Sequence, residues 1–546
     1  MSKRAFFILP GLVLLAIAAL VMVIVVKFSS DKPIVKFSKD ISHVGRSLPV
    51  TLKVVGQKSG LKDIKVILRQ GKKEEVFFHE SFPSKGFFKG SEVLDKEVTF
   101  KINSLEKGFE AGPAELITAA TDHSWRGGFK GNLTEIVQPV IVVTKPPVIT
   151  VLSPSHYVNK GGAGLVVYQV TGDPAKTGVM VGQLFFQGYS IDYLKAKEIA
   201  KKAAATVSPT EASPKAGASS KKDVDAGKQS QANGEPAQPE SSNSVKKAIG
   251  SSPAPVEPKV KTYAAFFALP YNAVDNEQLA VIAQDYAGNE AKASFWHKIF
   301  KVHFRQDRVT VSEKFITNVI NNFQDLKGAP TGDPVKTFLW INKDLRKESN
   351  DRIEKVCSTS NPQMLWEGTF LRMKRSDPKA LFADSRTYLY NGQVIDQQVH
   401  LGQDLASLTN SPVEAGNNGI VVFTGDLGIY GQTVILDHGM GVFSSYSHLS
   451  RIDVNKGDRV TRGVQIAVTG STGLAGGDHL HYGMMVGTTF VNPKEWWDAK
   501  WIKDNIYLNL KSFVQTPTGM DASADQSTSP PATQKSEAPK ERTKKR

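Results

Sequence analysis

Two histidines stand one residue apart in the run from Gly470 to Val486, GSTGLAGGDHLHYGMMV. On a strand, alternate side chains share a face, so His479 and His481 would bring two imidazoles into one small volume while Leu480 and Tyr482 point the other way. Such a pair serves either as hydrogen-bonded histidines of a half-buried strand or as a metal ligand beside a catalytic base. His400, His438 and His448 bring five of the chain's 11 histidines into residues 400 to 481, well above an even scatter. VIDQQVHLGQDLAS adds an acid, Asp404, four residues after His400. With Gly402 between them, the spacing fits a strand end that turns back so that imidazole and carboxylate converge. In GVFSSYSHLS, period-two alternation places Val442, Ser444, Tyr446 and His448 on one strand face.

One carboxylate and two imidazoles suit a zinc site with water in the open position. Two further histidines nearby would take a proton and hold a developing oxyanion. His438, between the turn-like residues of LDHGMGV, competes for any of these roles, although a place on a hairpin tip favours a structural one. The same ligand types also make the facial triad of a non-haem iron oxygenase, but the H-x-D spacing of such sites is absent and two histidines would be left unexplained.

The elements that must position these residues are mainly strands. After the N-terminus come short alternating stretches, SLPVTLKVVG and LKDIKVILRQG, the latter with Ile64, Val66 and Leu68 on one face. This is the pattern of a β-sandwich-like domain over 33–145. TKPPVITVLSP leads into a second one over 146–300, whose VIAQDYAGNEA resembles the closing hairpin of bacterial immunoglobulin-like domains. Residues 195–261 are rich in Ala, Ser, Pro, Lys and Glu and cannot bury enough to fold, so they read as a disordered insertion within that domain. A helical connector is expected over 301–384. Its first helix has Phe315, Ile316, Val319, Ile320 and Phe323 at helical spacing behind Ser312, and a second opens at Asp333-Pro334 and runs to about Cys357. The fold class is thus mainly β, with an antiparallel β domain over 385–510 carrying the histidines and a disordered basic tail over 516–546.

Residues 385–497 resemble the M23 family of zinc metallopeptidases, the lysostaphin-like or LytM-type peptidoglycan hydrolases. The resemblance rests on HLGQD (His400 to Asp404), YGQTVILDHGMGVFSSYSHLS (Tyr430 to Ser450), VNKGDRVTRGVQIAVTGSTG (Val454 to Gly473) and HLHY (His479 to Tyr482). It implies zinc on His400, Asp404 and His481, with His448 and His479 as catalytic histidines. It also implies a two-layer antiparallel fold with a groove, and cleavage of peptide cross-links in peptidoglycan. Asp478 stands where the family usually has proline, and Gly483 where it often has glutamate. An alternative within the same resemblance is a catalytically weak LytM-type domain that binds and activates another wall hydrolase; such relatives typically lack ligands, and here all five positions are filled.

The length of 546 residues implies about three folded domains. A net charge of +15 favours an anionic neighbour such as phospholipid or acidic polymer. Nucleic acid is not the expected partner, since the charge is spread along the chain without a recognisable binding motif. The single cysteine, Cys357, excludes an intrachain disulfide and reads as a small buried apolar group. Ala5 to Val26 is free of charge and, at ~1.5 Å per helical residue, long enough for the ~30 Å hydrocarbon core. KFSSDKP offers no small-x-small cleavage site, so 1–30 is expected to be a retained transmembrane anchor. Lys27, Lys32, Lys36 and Lys39 follow the span, against Lys3 and Arg4 before it, but long domains translocate largely regardless of such charges. The expected location is the inner membrane, single-pass, with the bulk on the periplasmic side and the β domains as surfaces for envelope protein partners.

Overall fold

The computed structural model describes residues 27–514 apart from 87–89, 173, 195–258 and 324–325, together with scattered positions between 14 and 25. Most of the expected anchor, nearly all of the insertion and the basic tail lie outside the described residues. Among the described residues no helix is long and apolar enough to cross a membrane. The architecture is mainly β with few helices.

The first unit is a sandwich of a three-stranded sheet, whose centre is Leu48–Val55, and a five-stranded sheet built around Leu61–Gln70 and Gly112–Asp122. Val50, Leu52 and Val54 from one sheet meet Ile64, Val66 and Leu68 from the other. All six are buried because alternation turns every second side chain inward. Residues just after the expected span are fastened to this sandwich: the Lys27 carbonyl accepts from Trp125 N, and the Phe28 and Trp125 rings meet edge-on at 5.8 Å.

The second unit has two four-stranded sheets. In one of them Ala163–Thr171, which precedes residues 195–258, and Val260–Ala268, which follows them, pair antiparallel over nine residues from Ala163↔Ala268 to Thr171↔Val260. Both strands are nearly continuous apolar runs, because their second face packs against the C-terminal domain. Phe266 meets Trp366 and Trp496 there at ring distances of 6.1 Å. The Glu495 carboxylate accepts from Asn159 Nδ2 and Ala163 N, each at 2.9 Å.

The C-terminal domain is built on a ten-stranded sheet, beside which Ser385–Tyr390 and Gln393–Val399 form a separate small sheet. Its main path uses β1 (Asp377–Ala380), β2 (Gln403–Ala406), β3 (Gly419–Asp426), β4 (Gln432–Gly439), β5 (Val442–Ile452), β6 (Arg459–Val460) and β7 (Leu480–Val486), in the spatial order β1-β2-β7-β5-β4-β3-β6. Leu436, Tyr446, Tyr482 and Met484 face the core shared with the second sandwich. Ile435, Phe443 and Met485 face the other way, against Ile316, Val319, Phe338, Ile353 and Cys357 of the connector. The connector's first helix, Glu313–Asn321, is capped by the Ser312 side chain, which accepts from Phe315 N. The second starts behind Asp333, whose side chain accepts from Val335 N and Lys336 N, and runs from Pro334 to Val356 through a π-helical stretch, Ile341–Leu345. The connector also supplies a strand, Gln306–Thr310, that pairs parallel with Ser385–Tyr390.

Candidate metal centre

His400 follows the strand Gln393–Val399, and its backbone N–H donates to Asp384 O at 2.9 Å, seating it beside the turn at 381–384. The Asp384 carboxylate ties this turn by accepting from Leu381 N and pairing with Arg305. Asp404 on β2 is the register partner of His481 on β7, so antiparallel pairing alone sets the two side by side on one face. His400 Nε2 lies 2.9 Å from Asp404 Oδ1, His481 Nδ1 lies 2.9 Å from the same oxygen, and the two nitrogens are 3.0 Å apart. These three residues form the metal-capable group among the described residues.

The hydrogen bonding around the group fits a cation. His400 Nδ1 lies 2.8 Å from Leu381 O, which only an N–H can satisfy, so its proton sits on Nδ1 and Nε2 presents a lone pair. That lone pair, a carboxylate oxygen and a second imidazole nitrogen meet at one point, an arrangement that a divalent ion with nitrogen and oxygen ligands resolves. The other Asp404 oxygen accepts from Arg386 Nη2 at 3.2 Å, leaving Oδ1 turned toward the histidines. Burial works against the Asp404 charge, but the surrounding His400, His479 and His481 outweigh it and hold the carboxyl well below its usual range. Burial likewise pushes the His481 imidazole down to about 4, keeping it neutral as a ligand must be.

His448 and His479 complete the constellation, with ring centroids 4.8 Å apart. Each is oriented in the same way: His448 Nδ1 donates to Thr472 O and His479 Nδ1 donates to Gly477 O, both at 2.8 Å, leaving Nε2 bare. His479 Nε2 is 3.6 Å from Asp404 Oδ1. Burial, then the neighbouring His479 and His481, push the His448 pKa well below its ordinary value.

The expectation that His448 shares the face of Val442, Ser444 and Tyr446 is corrected by the structure. Tyr446 is the register partner of Tyr482 and packs on it, on the face away from His481. The ladder with β4 then shifts between Val434↔Tyr446 and Gln432↔Leu449, a β-bulge that puts an extra residue in β5. His448 has φ +61°, a left-handed conformation uncommon for a residue with a Cβ, and the break carries its ring to the His481 side while Leu449 returns to the core. Backbone strain of this kind costs about 1–3 kcal/mol and persists where the surroundings enforce it.

His438 does not join the group. It is buried on the opposite face, with Nδ1 donating to Asn418 O at 2.7 Å and Nε2 2.7 Å from Ser444 Oγ, and burial lowers its pKa to about 4. The two departures from the family pattern also have local reasons. The Asp478 carboxylate accepts from Thr469 Oγ1 at 2.7 Å and Asn410 N at 3.1 Å, tethering the segment that carries His479. At Gly483 a Cβ would lie 2.4 Å from Ser445 Oγ, so the sheet has no room for a longer side chain there.

Several positioning groups carry no signal in the sequence. Arg386 lies 18 residues before the carboxylate it holds, and the carbonyls of Leu381, Thr472 and Gly477 are visible only in the fold. Gly402 had a signal in its place inside H-x-G-x-D: a Cβ there would lie 2.5 Å from His481 Nε2. The group opens into a cavity of about 320 Å³, also lined by Phe315, Arg346 and Tyr430.

Residues 398–493 match the model of Peptidase family M23. Over these residues the C-terminal β domain is thus similar to that family. Over 87 residues the chain is 40% identical to the peptidoglycan DD-endopeptidase ShyA of Vibrio cholerae, covering 16% of this chain and 20% of that protein. Over 96 residues it is 38% identical to the DD-carboxypeptidase/endopeptidase Mpg of Neisseria meningitidis, covering 18% and 22%. The matched segment thus spans about a fifth of the length of these curated relatives. Among solved structures, the catalytic domain of lysostaphin from Staphylococcus simulans is similar at 27% identity, covering 23% of this chain and 96% of that one, with a TM-score of 0.20.

Proposed function

We propose that this protein is a zinc metallo-endopeptidase that cleaves peptide cross-links of peptidoglycan, held at the inner membrane by residues 5–26 with its β domains and peptidase domain on the periplasmic side. The observation that carries the chemistry is the convergence of His400 Nε2, Asp404 Oδ1 and His481 Nδ1 with the His400 proton committed to Leu381 O. The DD-endopeptidase names of the relatives support the substrate class. Aromatic rings of Phe28, Trp125 and Phe129, grouped where the chain leaves the expected span, support an interfacial position for that end of the first sandwich.

Zinc held by His400, Asp404 and His481 would polarise the scissile carbonyl and make water more acidic. The chain's own residues then divide the proton work. His479, held by Gly477 O, offers Nε2 to take a proton from the attacking water. His448, held by Thr472 O with its own Nε2 bare, faces the same volume and accepts a hydrogen bond from the attacking water, helping to orient it. As the C–N bond breaks, the proton taken from water passes to the leaving amine. Arg386 keeps Asp404 turned toward the histidines throughout.

The test is to incubate the zinc-loaded chain with purified cell walls and identify the released peptides by mass spectrometry. Peptides from cut cross-links are the expected product. Intact walls, together with stimulation of a second hydrolase, would instead mark an activator.

A further inference from the structure

We propose that Arg346 reads a free carboxylate on the substrate peptide and makes the enzyme select acidic cross-links over their amides. This rests on the endopeptidase reading above. Arg346 belongs to the connector, outside the matched residues 398–493, yet it lines the cavity that holds the metal-binding group.

Its placement is built by the π-helical stretch Ile341–Leu345. The backbone N–H of Arg346 bonds to Ile341 O, five residues back, and so leaves free the Asn342 carbonyl that an α-helix would use. Arg346 Nε donates to that freed carbonyl at 3.0 Å and Nη2 donates to Asn342 Oδ1 at 2.6 Å. Asn342 is wholly buried, and its Nδ2 donates to the buried Asp396 Oδ2 at 2.8 Å. The guanidinium is therefore fixed from behind by neutral acceptors, and among the described residues it makes no ion pair.

The other charges on the cavity wall are already committed. Arg386 pairs with Asp404, Lys379 with Asp377, and Asp307 lies 3.8 Å from Arg305. An oriented guanidinium facing a reaction cavity without a counter-ion is complementary to a carboxylate, which it can take up through charge-assisted hydrogen bonds. The pairing would be worth roughly tenfold or more in specificity.

The test uses the zinc-loaded full chain and two cross-linked wall peptides, one with its side-chain carboxylates free and one with them amidated. The parent should favour the free acid at least about tenfold in kcat/KM, mostly through KM. R346Q should bring the two peptides to parity with zinc content unchanged. R346K, which keeps the charge but loses the fork, should retain part of the preference and separates lost recognition from a loosened helix. A parent without preference, or an R346Q that keeps it, overturns the proposal. If the parent cuts neither peptide, the endopeptidase reading fails, and calorimetric binding of the same two peptides still decides: a free-acid preference lost in R346Q upholds the subsite, and equal or absent binding refutes it.

Discussion

Replacing Gly402 by alanine should loosen the metal without unfolding the domain. The added Cβ would lie 2.5 Å from His481 Nε2, 2.6 Å from its Cε1 and 2.9 Å from Tyr482 O. Ordinary contacts need about 3.5 Å, so the imidazole has to move by about 1 Å. Ligand positions tolerate only about 0.2 Å before coordination suffers. Gly402 is not in the left-handed region, so the backbone accepts alanine and the effect is one of contact alone. Disturbing how a ligand is oriented costs about 10- to 100-fold in metal affinity, or about 1.4 to 2.8 kcal/mol. Overpacking should cost a further 1–3 kcal/mol or so of stability. Competition with a zinc-binding dye gives the affinity, and urea unfolding of the metal-free protein gives the stability. A G402A protein that binds zinc as tightly as the parent would show that His481 is not the closely fitted ligand described above.

Two other expectations follow from the packing of the second sandwich. Burial raises the Glu495 pKa from 4.5 to about 7, with the bonds from Asn159 and Ala163 opposing the rise only in part. Because the folded value exceeds the unfolded one, this group's contribution is fully present below pH 4.5 and is lost as pH rises through 7, on the order of 3 kcal/mol. Glu495→Gln should flatten that part of the stability profile between pH 5 and 8; an unchanged profile in denaturant unfolding would contradict the assignment. Mild proteolysis should cut between 201 and 261 yet leave two fragments bound together, since Ala163–Thr171 and Val260–Ala268 pair across the break. Fragments that separate on a sizing column in native buffer would show that this pairing does not hold the unit.

The site was legible where chemistry and local geometry coincide. H-x-H on an alternating strand needs no tertiary information to bring His479 and His481 to one face, and H-x-G-x-D announces a close turn around Gly402. His448 was legible as a residue but not as a direction, because a single bulge reverses every side chain beyond it and leaves no mark in the hydrophobic pattern. Arg386 and Arg346 were invisible for another reason: their meaning lies in what they face, and neither stands near its partners in the site at a diagnostic spacing. The layers were partly readable. Ile64, Val66 and Leu68 announce a sandwich with one buried face, whereas AGLVVYQV and YAAFFALP are apolar at nearly every position, the mark of strands covered on both sides. That signal points to a third layer, which the structure supplies as the C-terminal region packed against the second sandwich through Trp366, Glu495 and Trp496.

The division of labour among the histidines is tested most directly by two substitutions two positions apart, His479→Ala and His481→Ala, with zinc content and wall hydrolysis measured on the same preparations. His481 supplies one of three converging ligand atoms, so its loss should remove zinc and activity together. His479 is held by Gly477 O and stands 3.6 Å from Asp404, so its loss should leave about one zinc per chain. Turnover should nevertheless fall by about 10² to 10⁴, the range for a general base. Zinc lost from His479→Ala but kept in His481→Ala would contradict the account.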